Sequence, residues 1–313
     1  MSRLFCIGEA LIDFIPVQGD LLAPMPGGAT ANTAVAAAKL GVDSIFIGKV
    51  GDDGFGRMLI NVMNDYGVDT SLMSMTREAC TTMAFVLLSP DGEREFTFAR
   101  KPGADMMLSE NDIPEGLFSD GDILHFGSIG LTPGSASKEA HRKAIIDAKA
   151  AGASISYDPN VRLPLWDSEA ALKNTILEFL PFADIVKVSS DEMPLIFDTK
   201  DESEAAAICF GKGVSVVFVT RGRDGAAVYT PGFSDEAGGI RLTAIDTTGA
   251  GDAFDGAILS RFLGKPLADI AAPDELRGSL RFANTAGAVT VTRKGAMAGS
   301  PTLEEIEREL GRV

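Results

Sequence analysis

Short runs of apolar and β-branched residues alternate with longer segments of helical periodicity along most of the chain. Apolar runs predict strands over residues 4–8, 44–48, 123–127, 154–158, 184–189, 215–220 and 241–245. Several are apolar at nearly every position, as strands buried on both faces are. Segments 30–40, 54–66, 136–151 and 252–263 read as helices stopped by Gly41, Gly67, Gly152 and Gly264, and a further helix is expected over 275–285. A glycine just past the last periodic residue is a common helix stop. Strand and helix in regular succession imply an α/β fold, a parallel sheet covered by helices.

One stretch breaks the rhythm. Residues 81–88 and 93–99 read as two strands joined by Ser89-Pro90-Asp91-Gly92, with Phe96 and Phe98 on one face and proline at the second turn position. With the strand-like segment 11–17 they predict a small sheet standing over an edge of the core, a lid formed by about residues 11–26 and 80–105. No repeat, low-complexity tract or linker divides the chain, so 1–313 is expected to be one domain.

Composition then removes whole classes of function. The 28 basic residues are outnumbered by 44 acidic ones, a net charge of −16. Such a surface repels a phosphate backbone, and nucleic acid is not an expected partner. Gly, Pro or charge interrupts every apolar stretch within about ten residues, where a membrane span needs roughly 20. The N-terminal residues lack the layout of a secretory signal, which points to the cytoplasm. Cys6, Cys80 and Cys209 are odd in number and scattered, so they are expected to be free thiols, and His125 and His141 form no zinc pattern.

Candidate chemistry sits in two glycine-bearing elements. Asp246-Thr247-Thr248-Gly249-Ala250-Gly251-Asp252-Ala253-Phe254 opens a helix, and the backbone amides of Gly249, Ala250 and Gly251 there favour an anion such as phosphate. Asp252 adds a negative charge beside that anion, which makes sense if it takes the proton of a hydroxyl attacking phosphorus. Read alone, it is also an N-cap on a tight turn. Neither G-x-x-x-x-G-K-[ST] nor a complete G-x-G-x-x-G is present. The second element, Pro26-Gly27-Gly28-Ala29-Thr30-Ala31-Asn32, lets a ligand approach the backbone and offers an amide suited to sugar hydroxyls. By itself it is also an ordinary helix start.

Together the two elements resemble the paired signatures of the ribokinase-like carbohydrate kinases, in the same order, over a span from Gly8 to about Pro301. The resemblance implies a three-layer α/β fold with a small β-sheet lid. It also implies an ATP-dependent, Mg²⁺-assisted transfer of the γ-phosphoryl group to a primary hydroxyl of a sugar. Asp252 then matches the family's base and Gly249, Ala250 and Gly251 its anion hole, while Asp13, Gly27, Gly28 and Asn32 match sugar contacts. Lys187-Val188-Ser189-Ser190-Asp191-Glu192 matches the N-x-x-E element on the ATP side, with Ser189 in place of asparagine and Glu192 organising Mg²⁺ through water. Thr220, Gly222 and Gly225 match the loop beneath the nucleotide, and Asn284 matches the adenine pocket. Asp246, Thr248, Thr290, Arg293 and Gly295 match the surround of a monovalent cation such as K⁺.

Within the family, Gly8-Glu9-Ala10-Leu11-Ile12-Asp13, the segment from Phe96 to Asp105 and Asp158-Pro159-Asn160-Val161-Arg162 lean toward fructokinases. A carboxylate at Asp13 suits a neutral polyol and repels an acid sugar. Arg100, Lys101 and Arg162 leave open a grip on a sugar carboxylate, as in ketodeoxygluconate kinases, and Arg162 could instead meet ATP phosphates. A nucleoside kinase of the same family and a catalytically silent sensor on the same scaffold are the other readings; a sensor has no need of Asp252. A hydrolase elbow at Phe126-Gly127-Ser128-Ile129-Gly130 beside His125 fails because Phe126 stands where that motif requires glycine. The apolar face of the lid, carrying Phe96 and Phe98, predicts a homodimer joined partly through the lids.

Overall fold

The computed structural model describes residues 2–18, 21–88 and 94–312. The expected hairpin turn at Ser89, Pro90, Asp91 and Gly92 lies outside the described residues. In chain order the strands are β1 (Leu4–Ile7), β2 (Leu11–Gln18), β3 (Leu21–Gly27), β4 (Ser44–Gly51), β5 (Met73–Thr76), β6 (Met83–Leu88), β7 (Arg94–Ala99), β8 (Ile123–Gly127), β9 (Ser154–Asp158), β10 (Ile185–Ser189), β11 (Val216–Thr220), β12 (Gly225–Thr230) and β13 (Phe233–Gly238). The helices are α1 (Ala29–Lys39), α2 (Gly54–Asp65), α3 (Ser137–Ala150), α4 (Glu169–Phe179), α5 (Met193–Phe197), α6 (Glu202–Phe210), α7 (Ala250–Phe262), α8 (Leu267–Ile270), α9 (Pro273–Thr290), α10 (Ala296–Gly299) and α11 (Leu303–Leu310).

The main sheet has the order β13-β12-β11-β10-β9-β8-β1-β4-β5. It is parallel from β11 to β5, and β12 and β13 extend it as an antiparallel hairpin. Alternation along each strand divides the core in two. Phe5, Ile7, Val186 and Val188 pack on one face with Ala144, Leu172, Ile196 and Ala205 of α3 to α6. Leu4, Cys6 and Ile185 face the other way, toward Ala34, Leu59, Ile258 and Leu280 of α1, α2, α7 and α9. The helix-covered parallel sheet expected from the strand and helix rhythm is thus present, in the three-layer form that the family resemblance implies. A second sheet of order β3-β2-β6-β7 stands beside it, and its edge strand β3 tolerates Pro24 and Pro26 because an edge needs fewer amide donors.

Two expectations are corrected. Residues 241–245 form no strand: the Ile245 amide donates to the Val291 carbonyl (2.7 Å), and its side chain is 61% exposed. The edge position is taken by β12 and β13, whose ladder leaves that apolar run without a partner strand.

The second correction concerns Arg100, expected among the sugar-binding cations. Its Nε donates to Asp105 Oδ2 (2.8 Å), and its two Nη atoms donate to Thr132 Oγ1 (2.7 Å) and the Ile129 carbonyl (2.9 Å). The guanidinium is 4% exposed and is spent inside the fold, where it joins the end of β7 to the loop after β8. Arg100→Ala leaves the Asp105 carboxylate buried without its cation, a loss of about 3–5 kcal/mol. Denaturant unfolding should show that loss while selectivity between neutral and acid sugars stays unchanged. Full stability with weakened acid-sugar use would restore the sugar-contact reading.

Candidate active site

A cavity of about 1310 Å³ opens at the C-terminal ends of the parallel strands, walled on one side by the small sheet. Open α/β sheets bind ligands at this end. Helix α7 enters it from Gly249, which caps the helix in the left-handed region at φ 81°. A side chain there would also collide with Ala296, so the turn requires glycine. The first-turn amides of α7 are left facing an incoming anion.

Asp252 lies in that first turn and not at the cap, which disposes of the capping alternative. One turn later, a Cβ at Gly256 would stand 2.6 Å from the Cβ of Ala36, so glycine lets α7 and α1 approach closely. The approach brings Asn32 of α1 to Asp252, and the Asn32 amide donates to Asp252 Oδ2 (2.8 Å). Burial pushes the Asp252 carboxyl up to about 6, against the pull of the Lys187 ammonium and the Asn32 amide. A carboxylate tuned toward neutrality in a cleft is suited to proton transfer.

Lys187, in the middle of β10, places its Nζ 2.6 Å from Asp158 Oδ2 and 3.3 Å from Asp255 Oδ2. Burial works against the ammonium, but Asp158, Asp255 and Glu192 hold its pKa above the ordinary lysine value. The same Nζ lies 3.2 Å from where a Cβ on Gly251 would be, directly beneath the Gly249–Gly251 loop. Sequence reasoning missed Asp158 and Asp255 as site residues. The signal was there in part: Asp158 ends a parallel strand at the ligand-binding end, and Asp255 follows Asp252 by three residues, on the same helix face.

Asp13 of β2 lines the same cavity. Burial pushes its carboxyl up to about 7; Arg162 opposes the shift, while Asp252 and Asp246 add to it. A side chain at Gly27 on the paired strand β3 would collide with that carboxylate. Gly28 caps α1, and Glu9 secures the helix start by accepting from the Ala29 amide (2.7 Å). Glu9 also lines the cavity, its carboxyl raised by burial to about 7, and sequence reasoning gave it no role. Leu11, Met25, Val86 and Phe98 of the small sheet supply an apolar wall.

The remaining expected residues divide by position. Glu192, Thr220, Gly222 and Arg162 line the cavity, whereas Gly225 and Asn284 lie off its wall. Asn284 donates its amide to the Gly238 carbonyl (2.8 Å). Glu192 accepts from the Val161 amide (2.6 Å), the Ser189 amide (2.9 Å) and Ser189 Oγ (2.8 Å), and so ties the Arg162 loop to β10. Asp246 accepts from the amide and hydroxyl of Thr248 (3.0 and 2.7 Å) and from the Gly295 amide (3.0 Å). The Thr290 hydroxyl donates to the Ala286 carbonyl (2.8 Å), and the Arg293 guanidinium pairs with Glu305 (3.0 Å). Arg293 and Gly295 therefore have only backbone carbonyls to offer a cation, and Thr290 its carbonyl and the lone pairs of its hydroxyl oxygen.

The sequence profile of the pfkB family carbohydrate kinases matches residues 1–303. Fructokinase-2 of Zea mays is 43% identical over 305 residues, which cover 95% of this chain and 90% of that protein. The fructokinase of Vibrio cholerae O395, solved with fructose, ADP and calcium ion, superposes with a TM-score of 0.91 at 36% identity, covering 98% of both chains. Aminoimidazole riboside kinase from Salmonella enterica, complexed with its riboside and an ATP analog, gives a TM-score of 0.87 at 30% identity and 99% coverage of both.

Proposed function

The chain belongs to the pfkB family of carbohydrate kinases, ATP-dependent enzymes acting on sugars, and we propose that its acceptor is fructose and its base Asp252. The observation that carries this is the pairing of Asp252 with Asn32 in one cavity with Asp13. Two vicinal hydroxyls of a neutral sugar donate to Asp13, and this orientation directs a primary hydroxyl at Asp252. Asp252 takes its proton as the hydroxyl oxygen attacks the γ-phosphorus in line, the bond from the γ-phosphorus to the β–γ bridging oxygen breaks and ADP leaves. The first-turn amides of α7 then stabilise the charge growing on the phosphoryl oxygens. With Arg100 spent inside the fold, one of the cations an acid sugar was expected to use is gone.

Glu192 already accepts from three protein donors, so it fits Mg²⁺ through water and not by direct contact. Mg²⁺ arriving with ATP supplies neutralisation of phosphate charge. The Asp246 loop, with the carbonyls near Thr290, Arg293 and Gly295, fits a monovalent cation in the same electrostatic role. The small sheet serves as a lid over the sugar. Its Leu21 and Leu87, 65% and 47% exposed, offer an apolar surface to a second copy in a homodimer. No helix among the described residues is long and apolar enough to cross a membrane, and a cytoplasmic location fits the acidic surface. An ADP-release screen over fructose, ribose, 2-keto-3-deoxygluconate and nucleosides tests the substrate. The highest kcat/KM should fall on fructose, and preference for a nucleoside or the acid sugar would overturn that choice.

A further inference from the structure

Lys187 sits where two ends of the reaction compete for it. It hangs on a flexible four-carbon stem beneath the Gly249–Gly251 loop, and besides the half-buried Glu192 three buried carboxylates act on it: Asp158 on β9, and Asp252 and Asp255 one turn apart on α7. All four groups are buried. A buried ammonium must be paired, and each of these carboxylates is a candidate partner. On Asp252 it would occupy the oxygen meant for the sugar hydroxyl and weaken the base. In the structure the positions are sorted. Asp252 takes the Asn32 amide, and Asp158 receives the Asn160 amide on Oδ1 (3.1 Å) and Lys187 on Oδ2 (2.6 Å). Asp255 Oδ2 stands 3.3 Å from the ammonium, beside Asp158, and accepts from no hydrogen-bond donor.

We propose that Asp255 is a positioning residue, which together with Asp158 seats the Lys187 ammonium under Gly251 and keeps it off Asp252. This rests on the reading of Asp252 as the base. The contact is too long for a strong ion pair, and a second full charge in this buried cluster is unfavourable, since Asp158 already balances the ammonium. What Asp255 contributes is an oxygen and a shape at the right depth of the helix. Asparagine can supply both; alanine supplies neither.

The test is a double-mutant cycle on kcat and on KM for sugar and ATP, with wild type, Asp255→Asn, Asp255→Ala, Lys187→Met and the Asp255→Ala/Lys187→Met pair. Asp255→Ala should lower kcat about tenfold with sugar KM unchanged, and Asp255→Asn should stay near wild type. Once Lys187 is methionine, adding Asp255→Ala should cost nothing further, because the two residues act as one unit. The proposal is overturned if the alanine loss persists in the Lys187→Met background, if asparagine is as poor as alanine, or if Asp255→Ala turns over at the wild-type rate. Thermal melts check each variant, and Asp255→Ser replaces Asp255→Ala in the cycle should alanine not fold. Asp252→Asn assayed in parallel separates the two readings. Its wild-type turnover would sink the base assignment, whereas an additive cycle beside an impaired Asp252→Asn would sink only the role of Asp255.

Discussion

Asp13→Asn should lower kcat/KM for fructose by roughly 10²- to 10³-fold, since two charge-assisted hydrogen bonds in a covered site are exchanged for weaker neutral ones. The effect should fall mainly on KM, because the hydroxyls held by Asp13 are not the one that reacts. For an acid sugar the sign reverses. The carboxylate of 2-keto-3-deoxygluconate is repelled by Asp13, with Asp252 and Asp246 close enough to be felt there, so removing one charge should improve its use. pH follows the same logic. Burial raises the Asp13 carboxyl to about 7, and its protonated form donates where the sugar needs an acceptor. In the free enzyme kcat/KM should therefore fall as pH drops through about 7. Equal losses for both sugars in Asp13→Asn would show that the residue supports the fold and does not read the substrate.

What the sequence revealed depended on how local the evidence was. The parallel strands were legible because Phe5, Ile7, Val186 and Val188 on one face and Leu4, Cys6 and Ile185 on the other are all apolar, and both faces meet helices. The β12–β13 hairpin was not, because β13 reads Phe-Ser-Asp-Glu-Ala-Gly, with burial alternating as on a half-exposed edge. β3 hid behind its two prolines, and α6 behind a run of small and apolar residues with no clear face. Among the site residues, Asn32, Asp252 and the glycines stood inside contiguous motifs. The seat of Lys187 is assembled from β9, β10 and α7, and no local pattern announces such a contact. Arg100 shows the opposite failure. A cation beside a lid segment looks the same in sequence whether it grips a ligand or a buried Asp105, and only the turn that brings Asp105 back decides between them.

Asp252→Asn confronts the chemistry most directly. Asparagine fills the same volume and can still meet Asn32, so fold and nucleotide affinity should be kept. It cannot take a proton, and kcat for fructose should fall by roughly 10²–10⁴-fold, toward the lower figure if proton transfer lags behind P–O cleavage. In the wild type, kcat/KM should fall further as pH drops through about 6, where the buried Asp252 carboxyl of the free enzyme becomes neutral and loses its basic form. The decisive measurement sets the turnover of Asp252→Asn with ATP and fructose beside its ATP affinity from calorimetry. Unchanged affinity with kcat lower by two orders of magnitude or more is the expected result; turnover near the wild-type rate would contradict the assignment of Asp252 as the base.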